Sequence, residues 1–501
     1  MIRSTLPLLA LGLAACATAQ NPAPATTSDA SFRERAPSEE VVYFVLPDRF
    51  ENGDTGNDTG DFIGDRLTTG FDPSHKGFYH GGDLAGLTQR LDYIEGLGIT
   101  AIWFAPIFQN KPVQGPAGDE SAGYHGYWVT DFTRPDGHFG TREEFKVFVD
   151  AAHARGMKVY MDIITNHTAD VIRYAEGDET GYVYRSKGDF PYSRKGGVDG
   201  PAINPGFMGD EDRGEANFAK LTDPTYAYTP VVPATEKDVK VPAWLNDPTN
   251  YHNRGDSTFA GESSTYGDFV GLDDLFTEQP DVVDGMTDIY RAWVDLGIDG
   301  FRIDTAKHVN TEFWQEFAPA IREHAASVGN DDFFAFGEVY DANPAYLSQF
   351  STIGRLDATL DFGFQDVGLG FAKGGATTRL RDFYAADDFY TDADSNAYAS
   401  PTFLGNHDMG RIGTFLQGGD AVLERAAEGL ACEAGKGDHG DVGDLPPVLA
   451  VRFRAGGLVY PMFSTIAQFG TADDIALADL KIEMFFPSDE NCEALFRAMA
   501  D

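Results

Sequence analysis

Seven short apolar runs, nearly all closing on polar residues, constrain this chain more than any other feature. They are VVYFVLP (41–47), TAIWFAP (100–106), KVYMDII (158–164), IDGFRID (298–304), FFAFGE (333–338), LDATLDF (356–362) and PTFLGNH (401–407), and all read as buried strands. Between them lie helical stretches such as LAGLTQRLDYIEGLG (84–98) and REEFKVFVDAAHARG (142–156). Nearly continuous apolar strands alternating with helices imply a parallel sheet covered on both faces. Seven of them suit an α/β class (β/α)8 TIM barrel better than an open doubly wound sheet. The polar residues gather at the C-terminal strand ends, where barrel enzymes build their sites.

One connection is too long for a simple crossover. Residues 168–278 are rich in Gly, Asp and Tyr and irregular in pattern. A loop of that length within a compact domain is usually functional or a subdomain. The expectation is an irregular domain inserted after the third strand and forming one wall of a cleft. The helical stretch DVVDGMTDIYRAWVDLG (281–297) then returns the chain to the barrel.

The 501 residues carry 79 acidic and 38 basic side chains, a formal charge of −41. Such a field repels phosphate backbones, so a nucleic-acid partner is excluded, as is a cationic membrane-binding face. The N-terminus reads as an address. Arg3 precedes the apolar run Leu6–Leu13, which is too short to span a bilayer, and Leu13-Ala14-Ala15-Cys16 has the form of a lipoprotein signal (1–16). A cut after Ala17-Thr18-Ala19 would instead release a soluble protein. Either way export is expected, to the periplasm or outer membrane as a lipoprotein or as a secreted form, with any membrane contact confined to a lipid on Cys16. The polar, Pro-containing stretch that follows makes residues 17–40 a flexible tether. Cys432 and Cys492 are the other two cysteines, and sequence leaves their pairing open.

The chemistry concentrates at three strand ends. In Gly300-Phe301-Arg302-Ile303-Asp304, Arg302 and Asp304 share a strand face. A charged pair there must be solvated or paired, and Arg302 favours an ionised Asp304. Alone, the segment also suits a structural ion pair inside the barrel. Gly337-Glu338 ends the next strand, and Asn406-His407-Asp408 follows the last run. Three carboxylates at one barrel face match the needs of glycosidic cleavage with retention: a nucleophile, a protonated acid about 5–5.5 Å away, and a group stabilising positive charge.

With these motifs in place, the chain resembles the α-amylase family of glycoside hydrolases over roughly residues 41 to 416. DIITNH (162–167), GFRIDTAKH (300–308), GEVY (337–340) and FLGNHD (403–408) match its motifs in order and spacing. The resemblance implies Asp304 as nucleophile, Glu338 as acid/base and Asp408 as transition-state stabiliser. It places Arg302, His167, His407 and Asp162 around the reacting sugar, Tyr127 of Tyr124-His125-Gly126-Tyr127-Trp128 beneath it, and Lys307 and His308 beyond the scissile bond. The implied partner is an α-1,4-glucan polysaccharide or oligosaccharide.

The resemblance also implies calcium, at one or two sites. Asn52, Asp54, Asn57 and Asp58, with Gly81 and Asp83, are similar to the calcium loop of cyclodextrin-forming relatives. Asn166, Asp274 and the carbonyl of His308 would form a second site. Taken alone, the first loop would read as a solvated turn. After residue 416 the family pattern stops. Its eighth strand and closing β-domain are not recognisable in 431–501, an atypical tail that a truncation or frame shift would explain. Alternatives to a glucan hydrolase are a transglycosylase or cyclomaltodextrin-degrading enzyme, an inactive glucan-binding surface protein, and a transporter-accessory protein of the same fold.

Overall fold

The computed structural model describes residues 32–177 and 181–410, a helical turn Ile412–Phe415, and three later strands by their backbone alone. The signal at 1–16, most of the tether and all three cysteines lie outside the described residues. Six parallel strands form one sheet in strict chain order: β1 Val42–Val45, β2 Ala101–Phe104, β3 Lys158–Ile164, β4 Gly300–Asp304, β5 Phe334–Gly337 and β6 Ala358–Thr359. Parallel strands cannot be joined by tight turns, so each needs a crossover, and this sequential order is that of a TIM-barrel wall. Every residue of β2, β3, β4 and β5 is buried, as a sheet covered on both faces requires.

The crossover helices show why they form where they do. Arg142–His153 starts on a capping box, with Thr141 and Glu144 satisfying each other's orphan backbone groups. It buries Phe145, Phe148, Val149 and Ala152 at helical spacing. Pro280–Val294 begins with a proline at its first turn and buries Val282, Val283, Met286, Tyr290 and Trp293. The stretch 84–98 forms two short helices, Leu84–Gln89 and Leu91–Gly96, rather than one. Inside the sheet a second apolar layer gathers Ala101, Trp103, Tyr160, Phe334, Phe336 and Ala358. These alternate with outward residues along each strand, so the inward side chains one step further along face the site.

Three expectations need correction. The run 401–407 forms no strand; among the described residues it makes one parallel bridge, Thr402 to Asp361, just beyond β6. Pro401 has no N–H to donate, and its carbonyl accepts from Asp361 instead. The tether ends earlier than residue 40. Phe32 is buried against His153, Arg33 Nε meets Asp299 Oδ1 at 2.8 Å, and Arg35 donates to the carbonyls of Thr100 and Gly156. In the tail, where the sequence shows no recognisable closing β-domain, Leu449–Ala455, Leu458–Gln468 and Lys481–Pro487 nonetheless form a three-stranded antiparallel sheet. Among the described residues, no helix is long and apolar enough to cross a membrane.

The long connection after β3 is irregular, as its composition suggests, and beside a largely aromatic core that includes Tyr192, Phe218, Tyr226 and Phe276 it buries a charged pair. Asp273 is buried and accepts from the backbone of Val171 and Ile172. Its counter-charge is the buried ammonium of Lys240, which also lies 4.1 Å from the ring centre of Tyr251. Removing one partner from such a pair strands a charge away from water. Lys240→Met is therefore expected to cost about 3–5 kcal/mol in urea unfolding; a loss under about 1 kcal/mol would show that the pair does not hold this segment.

Candidate active site

The register between β4 and β5 assembles the site. Ile303 pairs with Gly337, so Asp304 and Glu338 are the next cross-strand neighbours at the strand tips. Adjacent strands run about 4.8 Å apart. On the other side, Arg302 pairs with Asp162 of β3. Arg302 is completely buried and touches three carboxylates. Its Nη1 donates to Asp162 Oδ1 at 3.0 Å and to Asp304 Oδ1 at 2.8 Å, and its Nη2 lies 2.9 Å from Glu338 Oε2.

The chain turns sharply after the strand. Thr305 adopts φ +48°, a left-handed conformation that is costly for a β-branched residue. The turn aims its backbone N–H at Glu338 Oε2, 3.1 Å away. Tyr127 Oη donates to Asp162 Oδ2 at 3.1 Å and sits 2.9 Å from His407 Nε2. His407 Nε2 in turn lies 3.3 Å from Asp408 Oδ2. Above this floor opens a cavity of about 530 Å³ whose wall includes Asp304, Glu338, Asp408, Tyr127, His167 and Lys307.

The expected site residues therefore converge, with one change of role. Arg302 and Asp162 are fully buried beneath the floor instead of lining it. They hold other side chains in place rather than sugar hydroxyls. Lys307 and His308 both line the cavity beyond Glu338. Lys307 Nζ donates to the Tyr340 carbonyl at 3.0 Å, and His308 Nδ1 lies 2.7 Å from the Ser264 carbonyl, which can only accept. His167 Nε2 is buried without a hydrogen-bond partner among the described residues. Sequence reasoning missed Trp103, whose Nε1 donates to Asp162 Oδ2 at 2.9 Å. A tryptophan within a buried strand is itself the signal, because its N–H needs an acceptor. It also missed Phe259, Phe269 and Val270 of the long connection, which line the cavity as exposed or ring-packed apolar residues.

Three carboxylates share one guanidinium, and this sets the protonation. Burial pushes Asp304 well above the usual carboxylate range; Arg302 opposes this, but the charges of Glu338, Asp162 and Asp408 add to it. Arg302 favours the ionised carboxylate, as the segment by itself suggests, while burial works against it. Asp304 and Asp162 each feel the other's charge as well as that of Arg302, so their protonation is linked. Asp162 is pushed up to about 6, by burial first, against Arg302 and Trp103. Asp408 rises to about 6 through burial and the charge of Glu338. His167 and His407 are depressed to about 3 mainly by burial, so both are neutral near pH 7.

Calcium fit differs between the two candidate sets. In the first, a Cβ on Gly81 (φ +93°) would meet Asn52 Nδ2 at 2.5 Å and Asp58 Oδ1 at 2.6 Å, so these three converge. Asp83 accepts from Gly53, Gly86 and Asp54 backbone N–H groups and from Asn57 Nδ2. Asn57 Oδ1 is buried with no hydrogen-bond partner. This Asn57 Oδ1 is an oxygen that suits a calcium ion, whereas Asn52 turns its Nδ2 to Asp58 and both Asp83 oxygens accept N–H groups. Asp54 fits less well than expected, because its Oδ1 is turned back onto the N–H of Gly56. In the second set, Asn166 and Asp274 are joined through their side chains. Asp274 Oδ2, however, meets His252 Nδ1 at 2.6 Å, and the other ring nitrogen of His252 meets Glu278 at 3.0 Å. Burial opposes charge on that imidazole, but the two carboxylates outweigh it and push it up to about 9. A calcium at this second set would therefore compete with that imidazole for Asp274.

The shared guanidinium gives a direct test. Carbon-detected titration of aspartate carboxyls should show Asp162 and Asp408 with midpoints near 6, and midpoints near 4 for both would remove the electrostatic coupling argued for this cluster.

Comparison with known proteins agrees with the geometry. Residues 44–433 match the family model for the α-amylase catalytic domain. The chain is 56% identical over 367 residues to an α-amylase of Streptomyces lividans, an alignment covering 72% of this chain and 39% of that protein. It is 30% identical over 400 residues to a cyclomaltodextrin glucanotransferase of Klebsiella oxytoca, covering 75% and 50%. The chain thus spans about two fifths to half the length of these relatives. The crystal structure of an Anoxybacillus α-amylase superposes with a TM-score of 0.53 at 28% identity, covering 78% of this chain and 66% of that one.

Proposed function

The chain belongs to the α-amylase family of glycoside hydrolases, and from that premise we propose that it cleaves α-1,4-glucosidic bonds in starch-like glucans or maltooligosaccharides by double displacement. The observation that carries this reading is the register that makes Asp304 and Glu338 cross-strand neighbours under one guanidinium. That spacing suits retention, whereas inversion needs room for a water between carboxyl groups 6.5–9.5 Å apart.

In the first step Asp304 attacks the anomeric carbon, an ester bond forms, and the glycosidic C–O bond breaks. Glu338 gives its proton to the departing oxygen. In the second step Glu338 takes a proton from water, the water oxygen attacks the same carbon, and the ester opens to restore Asp304. Asp408, at the cavity wall, faces the positive charge that builds on the sugar. Tyr127 lies beneath that position. His167, neutral, offers a buried Nε2 for a hydroxyl.

Residues 168–278 act in this reading as an inserted domain whose Phe259, Phe269 and Val270 form the wall beyond Glu338. The same apolar wall favours a second outcome, transfer of the glycosyl group to a sugar acceptor in place of water. Asn52, Asn57, Asp58, Gly81 and Asp83 would hold a calcium that braces the loop after β1, far from any bond-breaking step. The signal-like N-terminus supports export of the enzyme, released or held by a lipid on Cys16.

With maltoheptaose as substrate, Glu338→Ala should lower kcat by about a thousandfold or more. It should retain much more activity on a maltosyl fluoride, whose leaving group needs no proton. The first product seen by proton NMR should be the α-anomer; the β-anomer, or equal losses on both substrates, would contradict the mechanism. Analysis of products from maltoheptaose and from cyclodextrins separates hydrolysis from transfer. Calcium should raise the melting temperature of EDTA-treated protein, and Asn57→Leu should abolish that rise; an unchanged rise in the variant would remove this loop as the calcium site.

A further inference from the structure

Trp103 touches several parts of the site without lining the cavity. It projects inward from β2 and is 6% exposed. Its Nε1–H donates to Asp162 Oδ2 at 2.9 Å. The Arg302 guanidinium carbon lies 5.1 Å from the centre of the indole, within cation–π range. His407 meets the same ring edge-on, with centroids 6.1 Å apart. Phe44 of β1 completes a bracket: it lies 4.6 Å from Trp103 and stacks on His407 at 4.5 Å with the planes 18° apart.

This bracket stands where strand pairing is missing. His407 belongs to the run 401–407, which among the described residues makes a single backbone bridge, Thr402 to Asp361, just beyond β6. A ladder of backbone bonds therefore does not fix the His407 ring. Its position comes from the two aromatic rings and from Tyr127 Oη. Asp162, for its part, is reached by donors from three elements: Arg302 of β4, Tyr127 of the loop after β2, and Trp103 of β2 itself. The Trp103 bond comes from an indole N–H fixed in the ring plane, whereas the Tyr127 hydroxyl can rotate to follow a displaced carboxylate.

We propose that Trp103 is a positioning residue for the reaction at this site, fixing Asp162, Arg302 and His407 in one arrangement through its indole N–H and ring while making no contact with the sugar. The inference rests on the glycosidase reading given above. Removing the N–H while keeping an aromatic ring would leave Asp162 with one donor fewer, and Arg302, Tyr127 and the charges of Glu338, Asp304 and Asp408 would draw the carboxylate to a new balance. Since Trp103 helps hold Asp162 ionised, its loss shifts the titration of Asp162 upward.

The test compares full-length Trp103→Phe with the wild type. On maltoheptaose, kcat should fall roughly tenfold or more while KM changes less than about threefold, and the acidic limb of the pH profile should move to higher pH. In an Asp162→Asn background the same change should cost less than about twofold, because Trp103 acts through Asp162. Wild-type kcat and pH profile in Trp103→Phe, or an undiminished penalty in the Asp162→Asn background, would overturn the proposal. A second readout needs no turnover. The chain has five tryptophans, and the indole N–H resonance missing from Trp103→Phe identifies that of Trp103. It should titrate with Asp162 in the wild type and be flat with pH in Asp162→Asn; a wild-type signal that does not move overturns the proposal. A wild type without hydrolytic activity overturns the glycosidase reading instead, and the indole titration still decides the role of Trp103.

Discussion

One buried guanidinium organises everything around it. Arg302 sits at the last inward position of β4 before Asp304, has no exposure to solvent, and is shared by Asp162, Asp304 and Glu338. A charge so placed is tolerable only with close counter-charges. Three carboxylates around one cation leave an excess of negative charge in a region of low dielectric, which together with burial pushes Asp162 and Asp304 upward. The same guanidinium that links β3, β4 and β5 thus orients both strand-tip carboxylates beneath the cavity.

The sheet supplies the precision. β3, β4 and β5 are parallel, in register and buried throughout, so Asp162, Arg302, Asp304 and Glu338 project from a scaffold with little freedom. Strain is confined to the turn after Asp304, where left-handed Thr305 points a backbone N–H at Glu338. Groups on less regular backbone, His407 and Asp408, are steadied by rings and hydroxyls instead of a ladder.

How much of this the sequence made legible follows from what each signal depends on. Buried parallel strands are apolar runs, so β1 to β6 were readable directly, as were the strand-tip carboxylates at Asp304 and Glu338. PTFLGNH misled because apolarity is common to strands and to other buried segments, and Pro401 was the discordant residue. Composition made residues 17–40 look like free tether, while the docking of Phe32 and Arg33 depends on partners, His153 and Asp299, more than a hundred residues away. The same distance hid the pairing of Trp103 with Asp162 and of His252 with Asp274. The depth of Arg302 was hidden too: its pairing with Asp304 was readable, but not that Asp162 and Glu338 share it or that it lies below the cavity floor.

The central claim is that Asp304 and Glu338 flank a single anomeric carbon, with Asp304 forming the covalent bond. The most direct measurement is mass spectrometry of the protein after incubation with a 5-fluoro-glucosyl fluoride that slows breakdown of the glycosyl ester. The account predicts a single adduct, on the peptide that carries Asp304, with turnover lost in step with labelling. A label on another carboxylate, or full turnover with no ester formed, would contradict it.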